Sequence, residues 1–216
     1  MAVGESSSVN YELRDPDVRL MLEVRDDNAA AFEELVLRYQ NRLVTVFTHL
    51  MGEATQAEDL AQEVFLRVYR ARKAYVPGSK FSTWLFTIAN NVASNARRTQ
   101  ARRREVQPPA TAGGTTSASL SIDEVAMAAS GQMPARQLDK AEMRDVIQQA
   151  LVTLNDRQRL ALLLNKFEDM SYADIATTMD LSPQAVKSLL SRARVQLREV
   201  LEPYLQQGKR PKTDRP

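Results

Sequence analysis

Apolar residues recur at intervals of three and four along most of the chain, the spacing of one helix face. Phe32, Leu35, Val36, Tyr39, Leu43, Val46, Phe47 and Leu50 predict a helix over Ala29–Leu50. Leu60, Ala61, Val64, Phe65 and Val68 predict a second over Thr55–Ala71, with Thr55 and Glu58 spaced as a capping box at its start. Trp84, Leu85, Ile88, Ala89, Val92 and Ala96 predict a third over Ser82–Arg104, and the run AYVPGSKFS before it is a loop broken by Pro77 and Gly78. A further set is expected over Ala141–Leu151, Asp156–Glu168, Tyr172–Met179 and Pro183–Leu205. No alternating stretch of useful length interrupts this pattern, so the expected fold class is all-α.

The periodicity stops between Val106 and Ala135, where prolines, glycines and small polar residues take over. Such a composition buries too little apolar surface to offset its ordering entropy. The expected organisation is therefore a disordered tail (1–16), a helical domain (17–105), a flexible linker (106–138), a second helical domain (139–205) and a basic tail (206–216).

Composition narrows the chemistry. At 216 residues, with 44% hydrophobic and 26% charged residues, the chain suits two small globular domains. Cysteine is absent and histidine occurs once, at His49, which removes disulfides, thiolate metal sites and any site built on two imidazoles. His49 lies within an apolar helical run and reads as an ordinary histidine near a helix end. No stretch approaches the length of a membrane span, and the amino terminus has no basic region followed by an apolar one, so a cytoplasmic protein is expected. No catalytic residue, metal site or cofactor is expected.

The net charge of +2 says little, but its distribution says more. Glu58, Asp59 and Glu63 cluster with Gln62 on the polar side of the second helix. Without a convergent base or metal ligand they suit a docking surface for a basic partner better than catalysis, with a solvated face as the plain competitor. Five of the eight residues from Arg97 to Arg104 are Arg, preceded on the same helix by Asn90, Asn91, Ser94 and Asn95. Arg at a helix end also suits the dipole, but amides followed by guanidinium groups offer contacts to base edges and phosphates.

The segment Met170–Leu197 carries the most specific signal. Ser171 and Asp174 start a short helix, Ile175 and Ala176 form its inward face, and Asp180 stands at a turn where a left-handed residue is needed. Ser182 is a good N-cap and Pro183 suits the first helical position. Val186, Leu190, Ala193 and Leu197 form a buried stripe, while Gln184, Lys187, Ser188, Ser191, Arg192 and Arg194 give a polar, basic outer face at the leading end. A capped helical hairpin is the plain reading; a DNA-binding helix-turn-helix accounts for cap, turn, crossing residue and basic face together.

On FEELVLRYQNRLVTVFTHLMG, EDLAQEVFLRVYRA, FSTWLFTIANNVASNARR and LVTLNDRQRLALLLNKFEDMSYADIATTMDLSPQAVKSLLSRARVQL, in this order, the chain resembles bacterial RNA polymerase sigma factors of the extracytoplasmic-function group. The resemblance implies a non-enzymatic factor that binds core polymerase and directs promoter recognition, melting and transcription initiation, with residues 17–105 as its domain two and residues 139–205 as its helix-turn-helix domain four. It assigns core-polymerase docking to Glu58, Asp59, Leu60, Gln62, Glu63, Phe65 and Leu66. It assigns the −10 element to Asn90, Asn91, Asn95, Arg97 and Arg98, with the Tyr75–Phe81 loop, including Lys80, holding an unstacked base. It assigns the −35 element to Ser182, Gln184, Lys187, Ser188, Ser191, Arg192 and Arg194. Trp84 reads as core. Members are commonly restrained by an anti-sigma factor, although no residue identifies one here.

Two departures bear on promoter sequence: Leu189 stands where many members carry Arg, and Asn95 where many carry Asp. The competing reading, a stand-alone helix-turn-helix regulator, leaves the acidic helix and the Asn/Arg strip unused. A nucleic-acid enzyme lacks the required constellations. Promoter elements about 17 base pairs apart lie about 58 Å apart at 3.4 Å per pair. Residues 105–138, 34 in number, reach that far but do not set the distance, so the polymerase is expected to hold the domains apart.

Overall fold

The computed structural model describes residues 14–106 and 134–207. The segment expected to be the linker falls largely in 107–133 and the expected tails in 1–13 and 208–216, outside the described residues. Domain two contains α1 (Pro16–Arg25), α2 (Ala29–Met51), α3 (Ala54–Ala71), a short 3-10 turn (Arg72–Ala74) and α4 (Phe81–Val106). Domain four contains α5 (Pro134–Thr153), α6 (Asp156–Lys166), α7 (Tyr172–Met179) and α8 (Pro183–Gln207). No strand occurs among the described residues.

The stripes read from periodicity form the core. Leu35, Leu43, Val46, Phe47, Val64, Val68, Leu85, Ala89 and Val92 are buried from α2, α3 and α4, and Val186, Leu190 and Ala193 from α8. Phe32 meets Phe65 edge-on at 6.4 Å, and Tyr39 meets Phe81 at 5.2 Å. Trp84 packs partly buried against the core, 4.8 Å from the ring of Tyr75.

Three details differ from the sequence reading. A helix at Pro16–Arg25 precedes the first one expected, with Asp15 as its N-cap, Pro16 opening it and Val18, Met21 and Val24 buried. The Thr55–Glu58 capping box is absent. Gly52 closes α2 in a left-handed conformation (φ 85°), and only Glu53 separates it from α3, so the helix starts at Ala54 and Thr55 already lies inside it. The N-cap is Glu53, which makes no side-chain capping bond. Finally, α5 starts at Pro134, seven residues ahead of Ala141.

Asp15 positions α4 as well as α1. One carboxylate oxygen accepts from the Asp17 amide at 2.9 Å, in the first turn of α1, and the other from the Phe81 amide at 3.0 Å, the first residue of α4. Each bond satisfies an amide that has no partner within its own helix, with the favourable charge for a helix start. Asp15→Ala is expected to lower unfolding free energy by about 1–3 kcal/mol, read from denaturant melts, while Asp15→Asn retains part of it.

Candidate nucleic-acid and polymerase interfaces

Helix α3 buries Ala57, Ala61, Val64, Phe65 and Val68 and turns its other side outward. Glu58, Asp59, Gln62 and Leu66 are exposed, Leu66 at 51%, and Glu63 is half-exposed in an i,i+4 ion pair with Arg67 at 2.7 Å. Leu60 is half-buried and packs on the core. Phe65, grouped with these residues by resemblance, instead faces Phe32 within the core. The outward face is thus an acidic and amide row around one large apolar side chain.

Helix α4 carries two polar stripes beside its apolar one. Asn91, Asn95 and Arg98, spaced by four and three, are exposed. Thr83, Asn90 and Arg97, spaced by seven and seven, face domain four. Tyr75 is buried against Trp84, so the loop before α4 offers it as a wall of the core rather than as an open base pocket.

In domain four, Ser171 and Asp174 form a full capping box on α7. Asp180 takes the left-handed conformation the turn needs (φ 53°, ψ 54°), and the Leu181 amide donates to the Ala176 carbonyl at 2.9 Å. The Ser182 hydroxyl accepts from the Ala185 amide at 3.1 Å, which caps α8. Ser182, Gln184, Lys187, Ser191 and Arg192 are exposed on the outer face, Ser188 is half-buried, and Leu189 packs partly against the core. Arg194 is exposed but tied back, donating to Asn165 Oδ1 and to the Tyr172 hydroxyl at 3.2 and 3.3 Å.

Arg159, which periodicity did not single out, organises the bend between α5 and α6. Its guanidinium donates to the carbonyls of Leu151, Val152 and Leu154 at 2.8–3.0 Å, the acceptors that the end of α5 leaves without helical partners. It also reaches the His49 and Leu50 carbonyls of domain two at 3.5 and 3.4 Å.

The two domains meet along α4–α7 and α2–α6, where buried apolar side chains of both form one cluster and several polar contacts cross the junction. Asp174 accepts from Thr83 Oγ1 at 3.1 Å and pairs with Lys80 at 3.3 Å. Asn90 Nδ2 donates to the Thr178 carbonyl at 3.3 Å, and the Thr178 hydroxyl donates to the Thr83 carbonyl at 3.4 Å. Arg97 pairs with Asp156 at 2.6 Å, and Arg42 pairs with Glu168.

Burial would raise the Asp174 carboxyl, but donors from Ser171, Lys80 and Thr83 together hold it below the ordinary carboxylate range. Burial pushes Glu168 up, against the pull of Arg42. The second pair is therefore costly to desolvate and specifies position more than it adds stability.

His49 packs against Phe167 at 5.7 Å, and burial, helped by the Arg159 charge, lowers its imidazole below the ordinary 6.5. A depressed histidine is kept neutral by the folded form. Below pH 6.5 the unfolded chain therefore takes up a proton that the fold refuses, and stability falls as pH drops through that window. Proton NMR of this single histidine is expected to titrate below 6.5, with the acid loss of stability flattened in His49→Gln; a midpoint at or above that value contradicts its burial.

Comparison with known proteins completes the picture. The family models for Sigma-70 region 2 and Sigma-70 region 4 match residues 35–103 and 144–197. The chain is similar to the RNA polymerase sigma-H factor of Pseudomonas aeruginosa, at 32% identity over 90% of this chain and 98% of the relative. It is similar to the RNA polymerase sigma factor CarQ of Myxococcus xanthus, at 33% over 82% and 92%. To the extracytoplasmic-function sigma factor SigW of Bacillus subtilis it is 27% identical over 83% and 93%. Among solved structures it shares the fold of CnrH in complex with the cytosolic domain of CnrY, with TM-score 0.62 and 22% identity, covering 87% of this chain and 98% of that one. With two domains matched in order and relatives aligned over nearly their whole length, the chain belongs to the bacterial RNA polymerase sigma factors of the extracytoplasmic-function group.

Proposed function

We propose that promoter-specific initiation by this sigma factor is divided among three faces of the fold. The exposed row on α3, Glu58, Asp59, Gln62, Glu63 and Leu66 with Leu60 beneath, docks on core polymerase, its acids meeting a basic surface and Leu66 supplying apolar contact. The two polar stripes of α4, with Lys80, engage the −10 element: amides of Asn90, Asn91 and Asn95 suit base edges, and Arg97 and Arg98 suit phosphates. The leading outer face of α8 enters the major groove at the −35 element through Gln184, Lys187, Ser188, Ser191 and Arg192. Phe65 and Tyr75 support these faces from the core, Ser182 sets the start of α8 and Arg194 braces it against α6 and α7.

The observation that carries the reading is the capped helix α8, which follows a left-handed Asp180 turn and shows its basic outer face at the leading end. The factor acts by binding and positioning rather than by catalysis, and works in the cytoplasm where the polymerase is. A structural neighbour, the sigma factor RpoE of Bartonella quintana, was solved with the anti-sigma factor NepR. An anti-sigma partner is accordingly proposed here too.

Reconstitution with bacterial core polymerase tests the assignment. The full chain is expected to co-elute with core and to support run-off transcription from a promoter library. Asp59→Lys with Glu63→Lys is expected to abolish co-elution at unchanged helical content; unchanged co-elution removes α3 from the docking surface. Arg192→Ala is expected to reduce initiation by about 5- to 150-fold, as one base contact is worth about 1–3 kcal/mol. A reduction confined to particular −35 sequences marks a base contact, and an equal loss on all of them a phosphate contact.

A further inference from the structure

We propose that α1 is a positioning element for base selection at the −10 element, its two ends holding the two stems of the Tyr75–Phe81 loop and so fixing which base that loop accepts. This rests on the assignment of the loop and α4 to the −10 element. The loop runs from the 3-10 turn at Arg72–Ala74 to the first residue of α4, and each stem is bonded to a different end of α1. At the amino end, Asp15 accepts from the Phe81 amide at 3.0 Å. At the carboxyl end, the Lys73 ammonium donates to the Arg25 carbonyl at 2.8 Å and pairs with Asp27, and the Arg72 guanidinium donates to the same Asp27 carboxylate at 3.1 Å.

The helix between these anchors is itself fixed. Val18, Met21 and Val24 are buried in the core, and Asp17 accepts from the Tyr39 hydroxyl and pairs with Arg38, both on α2. Its ten helical residues, at about 1.5 Å each, set the two anchors about 15 Å apart. The loop they bracket turns Tyr75 and Pro77 inward and leaves Val76, Gly78 and Lys80 exposed, Val76 at 74%. The Tyr75 ring lies 4.8 Å from that of Trp84, which pins the loop to the core at its start. A displaced base meets the outward residues, and where they stand follows from where the stems stand.

Plain helix capping accounts for part of this arrangement and not for the rest. An N-cap needs one acceptor for its own helix, whereas Asp15 spends its second oxygen on another helix. Asp27 takes a left-handed backbone conformation, φ 68°, that glycine adopts at less cost. What the carboxylate adds at that turn is the pair of cations from the loop stem, and Lys73 and Arg72 hold it below the ordinary carboxylate range.

Asparagine substitutions test this in the full chain. Asp15→Asn keeps one acceptor oxygen where two helices each need one. Asp27→Asn keeps a side chain that tolerates the left-handed turn and removes its charge. The pair loosens both stems. Asp26→Asn, whose carboxylate pairs with Arg25 instead, is the charge-matched control for Asp27→Asn.

Each form is assembled with core polymerase and assayed by run-off transcription from a library randomised at the −10 and −35 elements. A promoter selected from that library then carries 2-aminopurine at successive −10 positions, where its fluorescence rises as a base unstacks. Melting curves confirm folding. The Asp27 side chain is 56% exposed, so Asp27→Asn carries the test by itself if the pair melts early.

One hydrogen bond weights a population by about two- to tenfold. The pair is therefore expected to lose about three- to tenfold in base preference at one −10 position, with a matching fall in 2-aminopurine fluorescence there at saturating polymerase. Each single variant falls less, and −35 preference and core affinity stay as in wild type. Asp26→Asn is expected to match wild type throughout. Equal losses at both elements overturn the proposal, because they mark a merely structural role, and so does an equal loss in Asp26→Asn. Wild-type −10 preference in every folded variant rejects positioning by α1 alone. A wild type that transcribes with no −10 preference rejects the −10 assignment, and the proposal with it.

Discussion

Helix α4 has to satisfy three neighbours at once, and the rest of the molecule is arranged around that constraint. One face, with Phe81, Leu85, Ala89 and Val92, completes the core of domain two. A second carries Thr83, Asn90 and Arg97 into hydrogen bonds with domain four, and a third leaves Asn91, Asn95 and Arg98 in solvent. Its start is fixed by Asp15, which ties it to α1. A helix so anchored presents its polar side chains on a rigid rail.

Domain four meets that rail through groups that already hold the helix-turn-helix together. Asp174 accepts from the Ser171 amide and hydroxyl within the capping box of α7, and its remaining capacity goes to Lys80 and Thr83. Arg159 likewise closes the end of α5 and touches the end of α2. Local folding and domain contact thus share donors and acceptors, so the junction needs few residues dedicated to it. Apolar packing continues through the junction beside these polar bonds, so the two domains share one buried cluster.

Most of the helices were legible from periodicity, because each buries one continuous stripe. The turn at Asp180, the caps at Ser171 and Ser182 and the inward Val186–Leu190–Ala193 stripe follow from residue chemistry and stand as expected. Helix α1 carries its own signal in Asp15, Pro16, Val18 and Met21, but it is short, and its apolar stripe is too brief to stand out at the start of the first helical domain. The start of α3 departs from the Thr55–Glu58 spacing because the left-handed Gly52 leaves a single connecting residue, a constraint that no local capping pattern encodes. Burial of Phe65 and Tyr75 depends on partners 33 residues away in one case and on a loop's path in the other. The domain junction was illegible for the same reason: its bonds join residues 59 to 126 positions apart, through single side chains that form no pattern.

Promoter elements about 58 Å apart can be read together only if the two domains leave the contact they make in the free chain. The chain has no cysteine, so spin labels can be placed cleanly at Ala101→Cys on α4 and Thr177→Cys on α7, both exposed positions. Pulsed electron-spin distance measurement is predicted to give one short, narrow distribution in the free protein. On binding core polymerase and promoter DNA it should shift towards the promoter-element spacing of about 58 Å. A long or broad distribution in the free chain, or an unchanged short distance in the initiation complex, would contradict the account.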